Sequence, residues 1–186
     1  MLDVAPPRFR TLLAAAVLTG MRQGEILGLQ WDDVDFDANV IHVRRQANQK
    51  GQLVEPKTSQ AKRAIVLSPG LARMLREHKM ASKFKGVDDL VFPSGTGRPQ
   101  NGRNVARRGL EKALAEAELG KLRFHDLRHT YASLLIAEGL NVVFVSRQMG
   151  HSSPDITLRV YSHLWGAAEH ASKASAALDA VYGASS

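Results

Sequence analysis

The sequence predicts a mainly α-helical domain carrying one small antiparallel β-sheet, an α+β fold. Three observations predict it. Several stretches begin on serine, asparagine or proline and stop at glycine, as helices do. Two short stretches, "VIHV" and "AIVL", alternate apolar residues between turn signals, as strands do. The length of 186 residues suffices for one sizeable domain that buries roughly two thirds of its unfolded surface.

In chain order, a helix is expected through "RFRTLLAAAVLTG", following Pro6 and Pro7 and stopped by Gly20, with a short second helix in "RQGEILGLQW". Three strands follow, in "DDVDFDANVIHVRRQ", "QLVEPKT" and "KRAIVLSP", joined into one small antiparallel sheet. Next come a helix opened by Ser68 and Pro69, and a second one through "NGRNVARRGLEKALAEAEL", ended by Gly120. The helix in "RFHDLRHTYASLL" places Leu127, Tyr131, Leu134 and Leu135 on a core-facing stripe and ends at Gly139. Asn141 caps "NVVFVSRQMG", which stops at Gly150, and serines with Pro154 open "SSPDITLRVYSHLW". The alanine-rich tail gives one more helix candidate, with Ala171, Ala174, Leu178 and Val181 near one face.

Composition narrows the function classes. Lysine and arginine number 25 against 18 acidic residues, a net charge of +7, so the field favours a polyanionic partner such as nucleic acid or an acidic membrane surface. The absence of cysteine excludes disulfides, thiolate metal sites and a cysteine nucleophile. No apolar run approaches the ~20 residues of a bilayer span, and "MLDVAPPRFR" lacks a signal-peptide core, which reads as an intracellular protein. None of the seven histidines falls in an H-E-x-x-H pattern, so no metal ligands are assigned.

Packing does not explain every polar residue of these helices. His125 and Arg128 stand three apart, on one helical surface, and such groups repel unless an anion lies between them. Arg22 follows a glycine at the edge of an element, and Glu25, three residues on, can brace its guanidinium. Lys57 ends a strand at a turn, His151 lies just past a helix stop, and Tyr161 comes ten residues later. Taken singly, each is also what an ordinary surface or core-edge residue looks like. His129 projects about 100° away from Arg128 around the helix, which suits a structural or supporting residue.

As an ordered set in these contexts, Arg22, Lys57, His125, Arg128, His151 and Tyr161 resemble the catalytic domain of the tyrosine recombinases, the phage integrase family. The resemblance runs from "LLAAAVLTGMRQGEILGLQWDDVD" through "PKTSQAKRAIVL" and "FHDLRHTYASLL" to "MGHSSPDITLRVYSHL". Ala61 stands where family members often have a serine. The chain then reads as a single catalytic domain over residues 1–186, without the family's N-terminal core-binding domain.

The resemblance implies a site-specific DNA recombinase or integrase that cleaves and rejoins strands through a covalent 3'-phosphotyrosine. Arg22 and Arg128 would hold the non-bridging oxygens of the scissile phosphate, and His125 and His151 would donate hydrogen bonds to them. Tyr161 would attack the phosphorus while Lys57 protonates the departing 5' oxygen, with Lys62 the nearest other lysine. Glu25 and His163 would support from behind, and no metal or nucleotide cofactor is expected. The partner is double-stranded DNA, on which four copies assemble from monomers, in the cytoplasm of a bacterial or phage-infected cell and away from membranes. A type IB topoisomerase and a non-catalytic basic DNA-binding module are the other readings.

Overall fold

The first helix, α1 (Pro7–Thr19), starts on a proline whose missing N–H is no loss in the first turn. It ends at Gly20, left-handed at φ 60°. Leu12, Leu13, Ala14, Ala15 and Ala16 are all buried, so α1 is covered nearly all round and forms the central rod of the fold. The structure, a computed structural model, describes residues 1–56 and 61–164. Lys57 and the alanine-rich tail from Ala167 onward lie outside the described residues.

After the short α2 (Gln23–Leu27) and a single 3-10 turn (Trp31–Asp33), the chain forms β1 (Val34–Asp35) and β2 (Val40–Val43). The first expected strand is thus a hairpin. Its turn is made by the Asp35 carboxylate, which accepts from the N–H groups of Asp37 and Ala38, and by Asn39 at φ 54°. β2 also pairs antiparallel with β5 (Arg63–Val66), setting Ile41 opposite both Val34 and Ile65. The stretch "QLVEPKT" does not join this sheet. Its strand, β4 (Leu53–Val54), pairs with β3 (Gln46–Ala47) in a separate ribbon. The cause lies at Arg44 and Arg45, which turn to the carboxylates of Asp32 and Asp33 and draw the chain off the sheet. Gly28 completes the departure, because a Cβ there would stand 2.8 Å from the Ala47 nitrogen.

The remaining elements are helices. In α3 (Pro69–Ala81), Ser68 Oγ accepts from the Leu71 N–H at 3.4 Å. The next helix runs through α4 (Gly102–Val105), one wider π turn (Ala106–Leu110) and α5 (Glu111–Glu116). It stops before the expected Gly120. Glu118 takes φ 54°, and the Leu119 N–H donates back to the Leu114 carbonyl at 2.9 Å, a turn that satisfies an end carbonyl.

In α6 (Asp126–Ala137) the buried residues are Leu127, Arg128, Tyr131, Ala132 and Ile136. At about 100° per residue their arc centres near Ala132 and Arg128, so Leu127 sits at one edge and the expected Leu134 falls beyond it, half exposed. Asn141 caps α7 (Val142–Met149) by accepting from the Phe144 N–H at 2.8 Å, and Ser153 caps α8 (Pro154–Tyr161). Among the described residues no helix is long and apolar enough to cross a membrane.

One large apolar cluster gathers around α1, and a smaller one comprises Tyr131, Ala132, Ile136, Val145, Met149 and Tyr161. Gly150 joins the two regions at φ 62°, where a Cβ would meet Arg63 Nη1 at 2.8 Å. A left-handed alanine costs about 1–2 kcal/mol before any clash. Gly150→Ala should therefore lower the midpoint of thermal unfolding by about 2–8 °C, at roughly 2–4 °C per kcal/mol for a chain of this size. Calorimetry measures it, and an unchanged midpoint would contradict the constraint.

Candidate active site

Arg22 is the residue just before α2. Its backbone N–H donates to Glu25 Oε2 at 2.8 Å, and its Nη1 donates to Oε1 at 2.9 Å. Its Nη2 reaches the Gly150 carbonyl at 3.2 Å. Glu25 is 2% exposed and Arg22 40%, which leaves the guanidinium braced from behind and open in front.

Arg63 carries a role that was not anticipated. From β5 its Nη2 and Nη1 donate to Glu25 Oε2 and Oε1 at 2.9 and 3.1 Å, while Nε donates to the Gln148 carbonyl at 2.8 Å. One buried carboxylate therefore positions two arginines, one of them entirely structural. The signal was present in the alternation of "RAIV", where Arg63 shares the inward face with Ile65. A charge on that face requires a buried partner.

Arg128 is 3% exposed and has no carboxylate partner among the described residues. Its two terminal nitrogens donate to the carbonyls of Gly20 and Met149. Both acceptors lie at helix C-termini, of α1 and α7, where the backbone dipoles present partial negative charge. Burial, then the charges of Arg22 and Arg63, push the Arg128 pKa down to about 10. It remains a cation at neutral pH, beside two other guanidinium groups that share the Glu25 carboxylate between them.

His151 Nδ1 lies 2.8 Å from the hydroxyl of Thr157, which is fully buried in α8. Burial, reinforced by Arg128, Arg22 and Arg63, lowers the His151 pKa to about 4, so its ring is neutral at physiological pH. Tyr161, the last residue of α8, is 4% exposed. Its pKa is raised by burial, partly opposed by the Arg128 charge, so the phenol is protonated.

His129 was assigned a supporting place, facing away from Arg128. It does face away from Arg128, but toward Tyr161, whose Oη stands 2.6 Å from His129 Nδ1. His125 is exposed at the rim, its ring edge-on to that of His129 at 5.1 Å. Burial and the neighbouring His129 and Arg128 hold its pKa below the usual histidine value. His163 is exposed in the turn Ser162–Leu164. Lys62, at the described foot of the Lys57 segment, is paired with Glu55 at 2.9 Å. A polar groove of about 680 Å³ opens one residue beyond Arg22, lined by Gln23, Gln49, Lys50, Asn101 and Arg103 among others. The arrangement can bind an anion beside a phenol hydroxyl, with imidazole nitrogens available as hydrogen-bond partners.

The Glu25–Arg63 pair sets the stability of this frame. Removing one member of a buried pair costs about 3–5 kcal/mol, whereas Arg22, the partly exposed member of its pair with Glu25, can turn to solvent and leaves that carboxylate still paired with Arg63. Glu25→Gln should lower the thermal midpoint by on the order of 10 °C, and Arg22→Ala by far less. Burial raises the Glu25 pKa, but the bonds and charges of Arg63 and Arg22 outweigh it and hold it below 4.5. A depressed carboxylate stabilises the fold above 4.5 and loses that contribution as pH falls through its folded value. Wild-type stability should therefore decline below pH 4.5 more steeply than that of Glu25→Gln, as chemical denaturation at a series of pH values would record.

Residues 2–166 match the phage integrase family. A tyrosine recombinase XerC-like protein of Caldanaerobacter subterraneus subsp. tengcongensis is 32% identical, the alignment covering 84% of this chain and 46% of that protein. The ICEBs1 integrase of Bacillus subtilis is 29% identical over 84% of this chain and 45% of its own length. The chain thus spans about half the length of these relatives. The Tn1549 transposon integrase, solved in complex with circular intermediate DNA, shares the fold with a TM-score of 0.72 at 24% identity, covering 82% of this chain and 54% of that one. Every residue of the arginine cluster, its three histidines and Tyr161 falls within the matched span, and the chain belongs to the phage integrase family.

Proposed function

We propose that the chain is the catalytic part of a site-specific DNA recombinase, which breaks and rejoins strands through a 3'-phosphotyrosine. The observation that carries this reading is the unmatched charge at Arg22 and Arg128, held on carbonyls and one shared carboxylate beside a tyrosine hydroxyl. A phosphodiester supplies the missing anion. The two guanidinium groups hold its non-bridging oxygens in fixed forks that keep their charge at working pH. A Thr157 hydroxyl donating to His151 Nδ1 leaves the proton on Nε2, so His151 joins His125 as a donor to the same oxygens.

Tyr161 Oη forms the bond to phosphorus, and the bond to the 5' oxygen breaks. Lys57 gives that oxygen its proton. Because the phosphoester is conserved in the protein link, a 5' hydroxyl from another duplex can reverse the step and exchange strands. Four copies on DNA, assembling from monomers in the cytoplasm, would accomplish the exchange, and the amide-rich groove beyond Arg22 offers partners for the duplex.

Two experiments test the reading. A nicked suicide duplex should trap a covalent adduct with the wild-type chain and none with Tyr161→Phe, which keeps the ring and should bind DNA within a few fold of wild type. Cleavage persisting in that variant would sink the assignment, and a product joined from two duplexes separates a recombinase from a relaxing topoisomerase. The second concerns Lys57. An alkoxide, comparable to hydroxide from water of pKa about 15.7, needs an acid to leave, whereas a thiol of pKa about 8.5 does not. Lys57→Ala should lose about 10²- to 10⁴-fold on ordinary DNA and regain most of it when sulfur replaces the bridging 5' oxygen. Arg128→Ala should not be rescued. Equal rescue of both variants, or of neither, would pass the acid role elsewhere.

A further inference from the structure

We infer that His129 is the proton acceptor for Tyr161, a catalytic residue in its own right beside the groups that hold the phosphate. The inference rests on the recombinase reading and adds to it the fate of the phenol proton. Its Nδ1 stands 2.6 Å from Oη, within reach of the proton that must leave as the bond to phosphorus forms. A buried phenol keeps its proton in the resting state, so Tyr161 donates and the His129 nitrogen accepts.

No other described base is as well placed. Glu25 is occupied by Arg22 and Arg63, and the Asp126 carboxylate by Arg123. His151 Nδ1 is engaged with Thr157, and the ring stands in the field of three arginines, which opposes a further positive charge. His125 lies at the rim, in edge contact with His129 itself. The position of His129 on α6 follows from helical geometry. One residue past Arg128 turns the side chain about 100° from the phosphate-holding guanidinium, toward the end of α8, whose following turn packs on α6.

The step balances within the site. As Oη bonds to phosphorus, its proton passes to His129 Nδ1 and the 5' oxygen leaves with its electron pair, taking a proton from Lys57. In rejoining, a 5' hydroxyl attacks and gives its proton back to the Lys57 amine, while His129 returns the stored proton to Oη as the phenol departs. His129 must be neutral to accept. The titratable groups facing it are His125 and Asp126 on its own helix, His151 from the loop after α7, and Tyr161 from α8.

The test is His129→Asn, whose amide oxygen keeps a hydrogen-bond acceptor near the Nδ1 position but cannot hold a proton. Single-turnover cleavage of the nicked duplex by the 186-residue chain should slow by about 10²- to 10⁴-fold, with DNA affinity unchanged. The rate of the variant should climb with pH as hydroxide takes the phenol proton in place of the imidazole. Replacing Tyr161 by a fluorinated tyrosine that ionises near neutrality should restore most of the rate to His129→Asn and little to Arg128→Ala. His129→Gln serves as the second variant if the asparagine chain melts early. A variant that cleaves within three-fold of wild type with the same pH profile overturns the inference, as does one that stays slow with the acidic phenol. A wild-type chain that forms no adduct at all removes the recombinase reading, and the inference with it; an adduct formed equally well without His129 removes the inference alone.

Discussion

The Glu25 carboxylate is the anion around which the site is assembled. It accepts two bonds from Arg63 and two from Arg22, and so ties β5, α2 and, through Arg22, the Gly150 carbonyl into one frame. Four accepted bonds consume its capacity. None remains for Arg128, which is held instead by carbonyls at the ends of α1 and α7. Such dipoles stabilise a buried cation without neutralising it. The fold thus orients Arg22 and Arg128 while leaving their charge unspent, as an anion-binding site requires.

The same field sorts the histidines. His151, close to all three guanidinium groups, is driven neutral and can serve only as a hydrogen-bond donor or acceptor. His129 lies round the helix from Arg128 and meets the phenol hydroxyl of Tyr161. Chemically identical side chains acquire different tasks from their distance to the arginine cluster.

Local rules were legible in the sequence, and tertiary ones only in part. Caps at Ser68, Asn141 and Ser153 and stops at Gly20 and Gly150 stand where they were expected, because each depends on a few neighbouring residues. The sheet was misread because strands of two residues carry almost no alternation, and because ion pairs to Asp32 and Asp33 decide where the chain leaves β2. Arg22, Lys57, His125, Arg128, His151 and Tyr161 could be selected together through the family resemblance, and Glu25 by its spacing from Arg22, whereas Arg63 and the partner of His129 could not. Both of those depend on what a distant element brings opposite, and a helical wheel gives direction without the partner.

Stability is distributed unevenly across this site, in a way that bears on the nucleophile. The arginine frame is anchored in the large cluster around α1, while Tyr161 belongs to the smaller one, and α8 buries only Thr157 and Tyr161. Elements with little buried apolar surface open at lower free energy than the body that carries them. Against such a small anchor, a single hydrogen bond of about 1 kcal/mol is a sizeable share of what holds the helix in place. The contact between His129 and Tyr161 therefore has two effects at once in the proposed reaction: it gives the phenol proton an acceptor, and it keeps α8 docked beside the anion site. On the proposed mechanism, phosphate position is set by the well-anchored part of the molecule, and the arrival of the nucleophile by the lightly held part.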